Sequence, residues 1–155
     1  MPIEGQQPFP TEPATVTFLQ GKVTKKSLPV IQVAPSGAVP LLKRLMLPQG
    51  ELAQIHDSEE GLRYLAPVEL RPGAVRGNHY HHFKEEWLYL MAGALNLVVE
   101  DVSSRERASF GVNAGDLVWI ATGIAHTLTP TEPGYGVEFS KVRFNAGDIH
   151  PFRLV

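Results

Sequence analysis

Histidines and carboxylates crowd one stretch of this chain, "RGNHYHHFKEEWLYLMAG" (76–93), which holds three of the six histidines. Alternate residues of a strand share a face, so His79 and His81 point one way, and Tyr80 and His82 the other. Two imidazoles at that spacing reach one cation, as ligation requires. Glu86 opens the next apolar run and can return a carboxylate to the same point. Its neighbour Glu85 should face away. A fourth ligand, His126, comes from "GDLVWIATGIAHTL" (115–128). The set His79, His81, Glu86 and His126 mixes nitrogen and oxygen donors. It suits one divalent ion (Fe, Mn, Ni, Cu or Zn), and spacing does not choose among them. A six-coordinate ion would keep two positions open for substrate or water, as Lewis-acid or oxygen chemistry needs. Taken singly, an HxH in a strand or a lone histidine is more often structural. The joint pattern carries the reading.

The elements around these residues read as short strands. Thirteen prolines and fourteen glycines punctuate the chain at short intervals, which disfavours long helices. Residues 1–14 hold four prolines and read as an extended or disordered arm. Segments 15–19, 28–33 and 39–47 are candidate strands beyond what a minimal barrel needs. Segment 62–73 is a longer strand with an irregularity at Pro67. Segments 85–93 and 94–101 read as a hairpin turning at Ala92-Gly93. Further strands follow over 105–112, 117–121, 125–130 and 135–144, with turns at 113–116, Thr122-Gly123 and 131–134. The pattern predicts an all-β fold, an antiparallel sandwich or barrel, jelly roll included. Residues 15–155 form a single domain in this reading.

Composition narrows the function classes. The formal net charge is −2 and the basic residues are scattered, so no nucleic-acid partner is expected. There are no cysteines, hence no disulfides and no thiolate zinc site. The first residues lack a signal-peptide pattern, and the longest apolar run, 88–99, is too short to span a bilayer. A cytoplasmic protein with no membrane partner is the expectation.

The two histidine-bearing stretches resemble the motifs of the cupin superfamily. The first motif runs G, five residues, HxH, three or four residues, E, six residues, G. Here Gly73, His79, His81, Glu86 and Gly93 meet every fixed position. The second runs G, five residues, PxG, two residues, H, three residues, N. Here Gly115, Gly123 and His126 match, while Ala121 replaces the proline and Pro130 the asparagine. Neither departure removes a ligand. The resemblance covers residues 62–144, with its motifs within 73–130. It implies a jelly-roll β-barrel carrying extra N-terminal strands, with the metal inside, and commonly a homodimer. It does not fix an activity. "RGNHYHH" is also similar to the RG-x-H stretch of sugar-nucleotide cupins: epimerases, ketoisomerases and domains attached to capsular-polysaccharide reductases. That similarity implies Arg76 as a grip on a phosphate or sugar, and His79 or His81 as a base.

Three functions follow. The first is a metal-binding cupin enzyme, of dioxygenase or isomerase/epimerase type, acting on a small polar organic molecule. The second is a metal-independent sugar-nucleotide isomerase or epimerase. The third is a non-catalytic module binding a small molecule such as a sugar. Arg76, Leu88, Leu90 and Trp119 are the candidate substrate contacts: Leu88 and Leu90 share the parity of Glu86, and an aromatic can line a pocket. Arg76 lies at odd separation from His79, so a regular strand would turn it outward unless Gly77 kinks the chain. His56 and His150 read as surface residues, and Glu138 and Arg143 as rim charges.

Overall fold

The two longest strands, β8 (Glu86–Asp101) and β11 (Ile124–Ser140), pair antiparallel along almost their whole length and form the spine of the molecule. The structure, a computed structural model, describes residues 13–32 and 40–155. The expected N-terminal arm lies outside the described residues up to residue 12, and so do parts of the expected strands at 28–33 and 39–47. Ala14 already belongs to β1 (Ala14–Phe18).

Both spine strands bend where the sequence suggested turns. Gly93 takes φ +90°, and a Cβ there would stand 2.7 Å from the Pro133 carbonyl oxygen. Opposite it, the register shifts repeatedly between Pro130 and Gly136. The expected hairpin at Ala92-Gly93 is therefore absent: 86–101 is one strand, and 124–140 is another. A bulge supplies the local signal of a turn without reversing the chain. One consequence is a change of parity. Inward residues are Glu86, Leu88 and Leu90 before Gly93, then Leu95, Leu97 and Val99 after it.

The bend folds the nine-stranded sheet over on itself. On one half, β2 (Val23–Ser27) joins β1 to β10 (Asp116–Ile120), which pairs with the first part of β8. The second part of β11 continues to β6 (Tyr64–Leu70). On the other half, β9 (Arg107–Asn113) pairs with the second part of β8. There the first part of β11 leads to β7 (Arg76–Tyr80) and β12 (His150–Pro151). Between the halves lies a cluster that includes Val23, Leu70, Leu90, Leu97, Val99, Val112 and Val118, all 1% exposed or less. Burying each such side chain contributes about 1.5–3 kcal/mol. This is the all-β jelly-roll barrel that the motifs imply.

Of the expected extra N-terminal strands, 15–19 joins the barrel sheet as β1, and the later ones fall in a separate sheet: β3 (Val30–Ile31) parallel to β4 (Lys43–Leu47), and β5 (Gly50–Gln54) antiparallel to β4. Ala53 and Ile55 pack on the outward face of the barrel, over Tyr89, Leu117 and Phe139. That layer explains the alternating apolar residues Trp87 and Tyr89, whose parity points out of the barrel. Among the described residues, no helix is long and apolar enough to cross a membrane.

Candidate active site

Strands β7, β8 and β11 bring His79, His81, Glu86 and His126 together at one end of the barrel. One ligand atom from each lies within 4.8 Å of the others. His126 sits opposite His79 in the β7–β11 ladder, with ring centroids 4.8 Å apart. His81, just beyond β7, stands 4.9 Å from His79 by the same measure.

Backbone carbonyls orient two of the rings. His81 Nδ1 lies 2.7 Å from the Asp148 carbonyl oxygen, and His126 Nδ1 3.0 Å from that of Ile124. A carbonyl only accepts, so Nδ1 carries the proton and Nε2 is the atom presented to the site. His126 Nε2 meets Glu86 Oε2 at 2.9 Å, and His81 Nε2 meets Oε1 at 3.2 Å. Lys84 Nζ also donates to Oε1, at 2.7 Å, from a position over the Tyr64 ring. Burial opposes a charge on Glu86, yet the His126 charge and the hydrogen bonds from His126 and His81 hold its carboxyl well below the usual range. Burial likewise opposes protonation of His126, and the Glu86 carboxylate overrides it, leaving that imidazole above its ordinary value. The His79 ring makes no hydrogen bond to described residues. Burial, then the neighbouring His126 and His81, lower it to about 4. Three imidazoles around one carboxylate therefore surround a point that favours positive charge, which fits a divalent cation as well as protons.

This cluster floors a cleft of about 340 Å³, bordered also by Tyr64, Arg76, Lys84, Leu128, Glu138 and Phe144. The parity argument against Arg76 fails for a physical reason. His126 pairs with His79 but Thr127 pairs with Gly77, so Asn78 is an extra, bulged residue. Asn78 has φ +55° and Gly77 φ +101°. The Asn78 carboxamide holds the bulge, accepting from Thr127 Oγ1 at 2.8 Å and from the Leu154 amide at 2.8 Å. Arg76 thus borders the same cleft as His79.

Other expected contacts lie elsewhere. Leu88 and Leu90 share the face of Glu86 but are buried in the apolar cluster, not on the cleft. Trp119 projects from the opposite face of its strand. Its Nε1 donates to Glu85 Oε2 at 3.1 Å, and it borders a separate cavity with Thr24, Lys26, Trp87 and Leu117. His82 turns outward as alternation requires and packs on His150, ring centroids 4.3 Å apart. His56 is not a surface residue: its Nε2 is buried and its ring meets Phe139 edge-on.

Two residues of the site, Lys84 and Asp148, escape sequence reasoning, and a third, Glu138, is read there only as a rim charge. Lys84 lies in the loop between β7 and β8, where nothing in the spacing aims it inward. Glu138 pairs with Leu88 across the ladder and faces the cleft. Burial and then the Glu86 carboxylate raise its carboxyl above the ordinary value. Asp148 belongs to a 3-10 turn (Ala146–Asp148) capped by Asn145. Its buried carboxylate accepts the amides of His82, Phe83 and Lys84 at 2.8, 3.1 and 3.2 Å. "NAGD" occurs twice, at 113–116 and 145–148, and in both copies the aspartate caps backbone amides. That repetition is the signal that points to Asp148.

The profile of a family described as Polysaccharide biosynthesis C-terminal domain matches residues 49–135. Oxalate decarboxylase OxdC of Bacillus subtilis (strain 168) is 31% identical over 67 residues, 43% of this chain and 17% of that protein's length. Among solved structures, a dTDP-4-dehydrorhamnose 3,5-epimerase from Sulfolobus tokodaii superposes with a TM-score of 0.67. It is 17% identical, over 86% of this chain and 77% of that one. The WlaRB TDP-quinovose 3,4-ketoisomerase from Campylobacter jejuni gives 0.63 at 14% identity, over 71% and 88%. At these identities the likeness is one of fold, and it is the cupin fold that the two motifs imply.

Proposed function

The chain belongs to the polysaccharide biosynthesis C-terminal domain family, and from that premise we propose that it is a cupin enzyme acting on an activated sugar, moving a proton beside a sugar carbonyl. The observation that carries this reading is a single cleft with a histidine–carboxylate floor, a guanidinium at its rim and a half-buried carboxyl facing in. Sugar-nucleotide isomerases and epimerases share the fold, which supports the same reaction class.

His79, His81, Glu86 and His126 would hold one divalent ion, and the ion would supply Lewis-acid polarisation of a carbonyl oxygen. The remaining chemistry belongs to the chain. Arg76 grips a phosphate or sugar oxygen and sets the register of the sugar. Glu138 takes the proton from the carbon next to the carbonyl, since burial raises its carboxyl and with it the basicity of the carboxylate. The C–H electron pair becomes the C=C of an enolate. Return of the proton to the other face of that carbon epimerises it. Where that carbon bears a hydroxyl, return to the former carbonyl carbon, with the hydroxyl proton passing to the former carbonyl oxygen, moves the ketone. Lys84 fixes the Glu86 carboxylate, so the floor keeps its geometry while the proton moves.

One observation favours a second, metal-free reading. The His79 ring stays neutral down to about pH 4 and makes no hydrogen bond among the described residues, so it can serve as the base. Solvent deuterium incorporation into a dTDP- or UDP-4-ketosugar tests both. The leading reading expects exchange that chelator abolishes. The second expects exchange that survives chelator. Thermal stabilisation by the sugar without exchange marks a binding module instead. The proposal also takes 15–155 as one domain in a homodimer, supported by the exposure of edge strand β1.

A further inference from the structure

We infer that Lys84 is a positioning residue that reserves one oxygen of Glu86, so that a loaded site keeps both charges of its divalent ion for an anionic group of the ligand. This rests on the metal-loaded form of the reading above and names the charge of the group that site takes.

Lys84 is 5% exposed, and it lines the histidine cleft. A buried ammonium needs a charged or strongly polar partner. Its Nζ donates to Glu86 Oε1 at 2.7 Å and stands over the Tyr64 ring, 4.2 Å from the centroid. The Lys84 amide is held in turn by the Asp148 carboxylate at 3.2 Å. Backbone and ammonium are thus fixed at opposite ends of the side chain, the one by a turn and the other by β6 and β8.

The two oxygens of Glu86 are not equivalent. Oε1 meets Lys84 Nζ at 2.7 Å and His81 Nε2 at 3.2 Å, whereas Oε2 meets His126 Nε2 at 2.9 Å. The histidine and lysine contacts differ in kind. With Nδ1 protonated against a backbone carbonyl, each Nε2 has a lone pair to offer a cation. A bound ion therefore takes over both histidine contacts. The ammonium has no lone pair and cannot ligate. Among the described residues, its bond to Oε1 is the one contact of the Glu86 carboxylate that a cation leaves in place. Oε2 is then the oxygen left for the ion.

The charge follows from the same pairing. Glu86 and Lys84 cancel, and imidazoles ligate as neutral rings. A divalent ion on this floor keeps a local charge of about +2, where the four ligands without Lys84 would leave about +1. Glu138, the other carboxyl on the cleft, forms no ion pair with Lys84 and does not undo that balance. A dicationic floor under the Arg76 guanidinium suits a group that is anionic when bound or becomes so, such as a carboxylate or an enolate oxygen. A neutral hydroxyl gains less.

The test titrates the metal-free full chain with Co(II), then titrates the loaded protein with azide, following visible absorption. It compares wild type with Lys84→Met, which keeps the bulk, and Lys84→Gln, which keeps a donor without the charge. Both variants should bind Co(II) at least about tenfold more tightly than wild type, and azide at least about tenfold more weakly. A lysine that only supports the loop predicts the opposite sign for the metal. Equal or weaker Co(II) binding by variants that melt like wild type overturns the inference. So does azide that binds all three alike or fails to bind loaded wild type. If neither variant folds, infrared difference spectra of wild type on Zn(II) loading decide. The separation of the carboxylate stretches should be that of one-oxygen ligation, and a two-oxygen separation overturns the role of Lys84. Wild type that takes up no Co(II) ends this inference and the metal reading together. Loss of deuterium exchange into a ketosugar, with the Co(II) and azide results as expected, ends the proposed reaction alone.

Discussion

Arg76 and His79 stand three residues apart on β7 and face the same cleft, because the bulged Asn78 adds one residue between them. Regular alternation would put them on opposite faces. The bulge is therefore what joins a rim cation to the histidine floor.

Gly77 makes that bulge possible. Its φ is +101°, and a Cβ would meet the His126 carbonyl oxygen at 2.5 Å. That clash is with backbone of the strand that carries a ligand, so it cannot relax locally. Gly77→Ala is expected to cost roughly 2–4 kcal/mol of stability and to displace His126. Denaturant melts and metal titration of the variant check both. A variant as stable as wild type would show that β7 can be registered without the bulge.

The metal reading predicts stoichiometric loading from the four side chains alone. Protein purified without added metal should carry one divalent ion per chain. His81→Ala/His126→Ala should lose it, since each removes an Nε2 that a carbonyl has aimed at the site. Elemental analysis is the measurement. Equal metal content in the double variant would defeat the assignment.

How legible this site was differs residue by residue. His79, His81, Glu86 and His126 could be read because their spacing is set within single strands and short turns, where alternation holds. The jelly roll followed from the same motifs. The hairpin at Gly93 could not be told from a bulge, since both ask for a glycine with positive φ. Leu88 and Leu90 have the right parity, but depth along a strand is not written in parity. Trp119 fails on parity itself. Glu138 and Asp148 reach the site from strands and turns more than fifty residues from His81, and no local pattern specifies which distant charge closes a cleft.

In metal-free protein the histidines give stability a definite pH dependence. His79 is lowered to about 4 in the fold, against an ordinary unfolded value of about 6.5. Between those values the unfolded chain binds more protons, so stability falls as pH drops through the window. His126 is raised. Its ion pair with Glu86 is fully present below pH 6.5 and is lost as pH rises through the raised value. Glu86, held well below 4.5, contributes a further loss only below that pH. Melting temperature in chelator should therefore decline on both sides of a maximum near pH 6.5. His79→Gln should flatten the acid side, and His126→Gln the alkaline side. An acid slope that persists unchanged in His79→Gln removes that histidine from the account.

Asp148 should matter to the loop more than its distance from the ligands suggests. Burial opposes its charge, but its carboxylate collects three amides, and together these bonds hold it below the ordinary value. Asp148→Asn keeps the shape but loses the charge and one acceptor oxygen. It is expected to cost about 2 kcal/mol and to speed amide exchange at His82, Phe83 and Lys84. Exchange rates at those amides that match wild type would show that the turn, not the carboxylate, pins the loop.

Arg76 gives the sharpest test of the sugar reading, because it borders the cleft without touching the four-residue floor. Arg76→Met should leave metal content and folding unchanged, since the side chain is exposed and makes no ion pair among the described residues. If it grips a phosphate or sugar oxygen, its loss removes a charge-assisted contact of about 1.5–3 kcal/mol, roughly a tenfold to hundredfold fall in kcat/KM for a ketosugar substrate. Arg76→Lys keeps the charge but not the planar fork, so it should recover only part of that loss. Steady-state kinetics on the two variants reads the difference. Full activity in Arg76→Met would mean that the guanidinium, though brought to the cleft by the bulge, does not hold the substrate.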